Sequence, residues 1–114
     1  MSTSSRGELG VVVPRAVVRA FASGLLAHAR GEGGAGLRLR TVREASAVVE
    51  TGVMSLGKLS RLAAWHARHG ASPAEVAARR RASPARTAWL LWGGDIGRRW
   101  ALETLAALGG GRYS

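Results

Sequence analysis

Apolar residues recur along this chain at helical spacing, in blocks punctuated by glycines and by serine–proline pairs. Behind a polar stretch at 1–10, Pro14 suits a first helical position. Val17, Val18, Phe21, Leu25 and His28 or Ala29 then trace one helix face, which stops at the loop Gly31-Glu32-Gly33-Gly34-Ala35-Gly36. A second helix is predicted over 41–50, with Val42, Ala45, Val48 and Val49 inward and Gly52 after Thr51 as its C-cap. Ser55 caps a third over 56–69, ended by Gly70. Ser72-Pro73-Ala74-Glu75 has capping-box spacing and opens a short helix running into Arg79-Arg80-Arg81, where cations suit the negative end of the dipole. Ser83-Pro84 opens a fifth helix through Trp92. Gly93-Gly94 terminates it, and Asp95 is expected to N-cap a sixth over 96–108. No segment alternates with period two between turn signals, so no sheet is predicted. The pattern implies an all-α fold, a compact bundle of five to six short helices. It forms one domain over 11–108 between a polar tail, 1–10, and a C-terminal tail, 109–114.

A chain of 114 residues buries roughly two-thirds of its unfolded surface, enough for one modest core. With no cysteine, disulfides, thiolate metal sites and Cys nucleophiles are excluded. Arg15, Arg19, His28 and Arg30 break the apolar stretches well short of the ~20 residues of a membrane span. Residues 1–30 carry the Ser and Arg of a transit peptide, but Glu8 and the glycine loop argue against one. The expected location is therefore inside a cell or in a particle assembled there, with no membrane partner.

Charge changes the picture most. There are 17 basic and 7 acidic residues, a formal net charge of +10, and Lys58 is the one lysine. Residues 58–86 concentrate Lys58, Arg61, Arg68, Arg79, Arg80, Arg81 and Arg86 against Glu75 alone. On the third helix Leu59, Leu62 and His66 share one face, while Lys58, Arg61, Trp65 and Arg68 share another. A cationic face bordered by an indole free to stack is what a nucleic-acid contact uses; a solvated face with its Trp tucked into the core edge is the alternative. The helix–turn–helix layout of 75–91, with Arg86 and Thr87 facing bases, offers a sequence-reading variant. Against it stand Arg81 in the turn and the apolar end Trp89-Leu90-Leu91-Trp92. The 79–81 run is expected to lie in a turn and to carry little of the core.

Catalytic chemistry finds no foothold. His66 and His69 approach one point on their helix, but two imidazoles make no zinc site without further ligands, and Arg68 between them repels a dication. Both read as structural. Glu44 and Glu50 are poorly spaced for a carboxylate pair, no Ser sits on a strand-to-helix elbow, and the glycine loop lacks the Gly-Lys-Ser/Thr of a phosphate-binding loop. No enzyme activity, cofactor, metal or small-molecule substrate is expected. Trp89, Trp92 and Trp100 fall around Gly93, Gly94 and Gly97, and are expected to pack on one another or on the third helix, with Gly97 admitting a close helix approach.

Trp65-His66-Ala67-Arg68-His69, followed by Ala88-Trp89-Leu90-Leu91-Trp92-Gly93-Gly94-Asp95-Ile96-Gly97-Arg98-Arg99-Trp100-Ala101, resembles a small helical domain of tailed-phage, virion-associated proteins. There the pattern reads Ala-Arg-His, a variable loop, then Ala-Trp-x-x-Trp-Gly-Gly-Asp-x-Gly-x-x-Trp-Ala. Ala45 through Gly52, Ser55, Pro14 and Gly33-Gly34 extend the likeness over about 13–102. The loop between His69 and Trp89 departs from it, being compact and Arg-rich here. The resemblance implies a small phage or prophage protein, with His69, Trp89, Trp92, Gly93, Gly94, Asp95, Gly97 and Trp100 as structural signature. Two partner classes follow: a nucleic-acid backbone on the Arg-rich face, or acidic phage head proteins of capsid or portal.

Overall fold

The computed structural model describes residues 10–70 and 72–109. In chain order its elements are β1 (Gly10–Val12), α1 (Arg15–Ala29), α2 (Leu39–Thr51), β2 (Val53–Ser55), α3 (Leu56–His69), α4 (Pro73–Ala78), α5 (Pro84–Leu91) and α6 (Gly94–Gly109). Serine starts the helices as the spacing predicts. Ser55, Ser72 and Ser83 each accept a hydrogen bond from the backbone N–H three residues on, at Lys58, Glu75 and Arg86. Gly52 ends α2 as its C-cap.

The fold is all-α apart from one short sheet that the sequence pattern missed. β1 and β2 pair antiparallel, Gly10 opposite Ser55, Val11 opposite Met54 and Val12 opposite Val53. Three residues are too few to print an alternating pattern. Gly10 therefore belongs to the folded body and not to the tail; the rest of that tail, 1–9, lies outside the described residues, as does 110–114 of the C-terminal one.

α1 runs through the centre, packing chiefly on α5 and α2, while α3 packs on α6. Val17, Phe21, Ala45, Val48, Met54, Leu59, Leu62, Leu91 and Ala101 form the buried cluster, about 1.5–3 kcal/mol of burial for each large side chain. The close approach expected at Gly97 occurs instead at Gly24 of α1. A Cβ there would stand 2.7 Å from the Leu91 nitrogen, whereas at Gly97 it would make ordinary contact, 3.5 Å from the Trp92 carbonyl oxygen.

Asp95 is not an N-cap. Gly93 and Gly94 both take left-handed backbone, with φ of 91° and 64°; α6 begins at Gly94, two residues before the expected start, and Asp95 lies inside its first turn. Its exposed carboxylate pairs with Arg98 at 3.1 Å and Arg99 at 3.4 Å. A negative side chain there still suits the helix dipole.

Candidate functional site

The first turn of α3 overturns the simplest charge map. Lys58, expected on an open cationic face, is 4% exposed. Its Nζ donates to the Glu44 carboxylate at 2.9 Å and stands 3.6 Å from the Trp92 ring centroid. A wheel drawn on α3 alone cannot see this, because α2 supplies the carboxylate and the C-cap of α5 the indole.

From Lys58 a series of ring contacts crosses the protein. Trp92 stacks with Trp65 at 5.7 Å and an interplanar angle of 12°. Trp65 in turn stacks with His69 at 4.4 Å and meets the edge of His66 at 5.0 Å. His69 Nδ1 then meets Glu75 at 3.0 Å, so the Glu75 carboxylate turns back to α3 and does not complete a capping box. The expected cluster of Trp89, Trp92 and Trp100 does not form as one stack. Trp92 pairs with Trp65, Trp89 lies beneath the Arg79 guanidinium at 5.4 Å, and Trp100 packs half-buried against the core. Because Trp92 sits at the end of α5 before Gly93, its ring swings towards α2 and α3 while Trp89 faces α4.

Two hollows open beside this series. A groove of about 640 Å³ lies between the 33–37 loop, α3 and the start of α5, with Trp65, His69, Glu75 and Arg79 in its walls. A smaller hollow of about 260 Å³ adjoins it, bounded by Arg38, Arg40, Glu44, Arg61, Arg68 and Trp92. Glu44 accepts from Arg40 at 3.1 Å and Arg61 at 2.8 Å as well as from Lys58. Arg38 and Arg68 are exposed and form no ion pair with an acid among the described residues. The result is a rim of four guanidiniums around one shared carboxylate. Arg38 and Arg40 lie outside the 58–86 run, and the i, i+4 spacing of Arg40 and Glu44 is the signal the sequence carries for them.

Protonation follows from these contacts. Partial burial alone would raise the Glu44 carboxyl, but Lys58, Arg40 and Arg61 together outweigh it and hold it below the usual range. Burial depresses the Lys58 ammonium, partly offset by Glu44. Burial likewise depresses His66, whose Nε2–H donates to the Trp92 carbonyl at 2.8 Å, so it is neutral at neutral pH.

The turn between α4 and α5 uses its cations differently. Arg79 donates to the His69 carbonyl at 3.1 Å, closing the end of α3, and Arg86 donates to the Arg79 carbonyl at 2.7 Å, closing the end of α4. Arg80 and Arg81 stay exposed. Thr87, offered above as a base contact, is fully buried, its hydroxyl between the Glu32 and Ser83 carbonyls at 3.1 Å each. The start of α5 thus presents neither Arg86 nor Thr87 to a groove of DNA. Among the described residues no three His, Cys, Asp or Glu gather as a metal site, and no helix is long and apolar enough to cross a membrane.

Set against family models, curated proteins and solved structures, the chain finds no match in any of the three.

Proposed function

We propose that this is a small basic, non-enzymatic protein of a tailed phage or prophage that binds the backbone of nucleic acid, in the virion or in the host cytoplasm. The phage source rests on the Trp89-to-Ala101 block described above. The binding rests on one observation: Arg38 and Arg68 stand exposed and without an acidic partner among the described residues, beside Arg40 and Arg61, on the face where α2 meets α3. Guanidiniums held on rigid helices are preorganised forks for phosphate oxygens. Arg68, Arg80 and Arg81 of the 58–86 segment remain open, Arg61 shares Glu44, and Lys58, Arg79 and Arg86 act within the fold.

A second reading, docking on a capsid or portal protein, is favoured by the opposite face. There a hollow of about 480 Å³ is walled by Trp89, Val76 and Leu102, the last two exposed apolar side chains. Competition separates the two. With the protein bound to a labelled DNA duplex at low salt, unlabelled duplex should displace it and purified head proteins should not. Binding to head proteins with no measurable affinity for DNA would replace the first reading with the second.

A further inference from the structure

Resting on the nucleic-acid reading above, we infer that the α2–α3 face takes a duplex, gripping its phosphates and leaving the bases unread. The aromatic groups of the face carry the argument. Proteins that hold single strands offer indole or phenyl faces on which bases stack, about 1–3 kcal/mol per base. Here Trp65 already stacks with His69 at 4.4 Å and with Trp92 at 5.7 Å, and Trp92 also carries the Lys58 ammonium at 3.6 Å. A base entering this series must part rings whose ends are tied down, Lys58 by its ion pair with Glu44 and His69 by its hydrogen bond to Glu75. Trp89, on another face, lies under Arg79. The rings at this face thus stiffen the groove and offer no platform.

The cations suit the opposite task. Arg61, which gives one guanidinium nitrogen to Glu44 and keeps its other N–H donors, and Arg68 stand seven residues apart on α3, two turns, or about 10 Å along its axis. That span lies between the widths of the two DNA grooves, about 6 and 12 Å, across which phosphates of opposite strands face each other. A duplex presents this paired row rigidly and at twice the axial charge density of one strand. A single strand must first be ordered to present its phosphates in that way, and gains no stacking in return. Arg86 and Thr87, engaged with the Arg79, Glu32 and Ser83 carbonyls, add no reading of base edges.

The test compares three labelled probes of equal length by fluorescence anisotropy at low salt: a DNA duplex, one of its strands, and an abasic strand. Tryptophan emission is followed in parallel. The duplex should bind about tenfold or more tighter than either strand, and the base-bearing and abasic strands should agree within about twofold, for want of stacking. Tryptophan emission should not be quenched. A base-bearing strand that binds as tightly as the duplex, or far tighter than the abasic strand with quenched emission, overturns the inference while leaving nucleic-acid binding intact. Should no probe bind, the reading beneath it falls as well, and capture of an acidic head protein takes its place.

Discussion

Arg79 and Arg86 carry the same side chain as Arg38 and Arg68, yet the two pairs do different work. In the α4–α5 turn the guanidiniums reach back to the carbonyl oxygens of His69 and Arg79, groups that end a helix and have no partner within it. On the α2–α3 face Arg38 and Arg68 point their charge into solvent, beside a carboxylate already claimed by three other cations. A dense run of arginine in sequence is therefore a poor guide to where a ligand binds. Short helices end often, and each end competes for donors.

The largest expected effect breaks this contrast directly. Replacing Arg79 and Arg86 together by Ala should cost about 2–4 kcal/mol in urea denaturation, because each donates a charge-assisted bond to a half-buried carbonyl. Replacing Arg38 and Arg68 together by Gln should change stability by no more than about 0.5 kcal/mol, as open surface positions do. Equal losses from the two pairs would erase the distinction.

Glu44→Gln comes next. It leaves the Lys58 ammonium buried beside Trp92 with no counter-charge, and should cost about 1–3 kcal/mol, reduced from a fully buried pair because Glu44 keeps some solvent contact. A melting temperature equal to that of the parent would mean that Lys58 is satisfied without Glu44.

Acidification gives a smaller, graded loss. His66 has its folded pKa below its unfolded value, so as pH falls through about 6.5 the unfolded chain takes the proton first and stability declines until the folded group titrates too. Glu44, depressed in the fold, adds its own loss only at lower pH, as pH falls through its folded pKa. Thermal melts from pH 8 to 5.5 should decline at the acid end, and a His66→Gln variant should be flat over that window. A decline of equal size in the variant would remove His66 from the account.

The smallest effect is at Asp95. As an exposed first-turn acid paired with Arg98 and Arg99, it should lose no more than about 0.5 kcal/mol on conversion to Ala, where a true N-cap so replaced loses about 1. A loss above 1 kcal/mol would restore the capping role.

What the sequence disclosed was local. Ser55, Ser72, Ser83 and Gly52 act within a few residues of themselves, and their roles could be read from spacing alone. What it hid was everything that joins distant segments. Lys58 meets Glu44 fourteen residues away, Trp65 stacks with Trp92 across the 70–86 connection, and the Thr87 hydroxyl reaches Glu32 from α5. Each of these took a residue assigned to a ligand and gave it to the fold. Arg38, exposed and unpaired among the described residues, sits outside the dense run, where composition does not point.

The most direct measurement is the salt dependence of duplex affinity for three proteins: the parent, Arg38→Gln with Arg68→Gln, and Arg80→Gln with Arg81→Gln. If the rim holds the phosphates, the first double variant should lower the log–log salt slope by about two units while the second leaves it near the parent value. A slope unchanged by the rim variant, with the turn variant shallower instead, would contradict the account and return the binding charge to the turn.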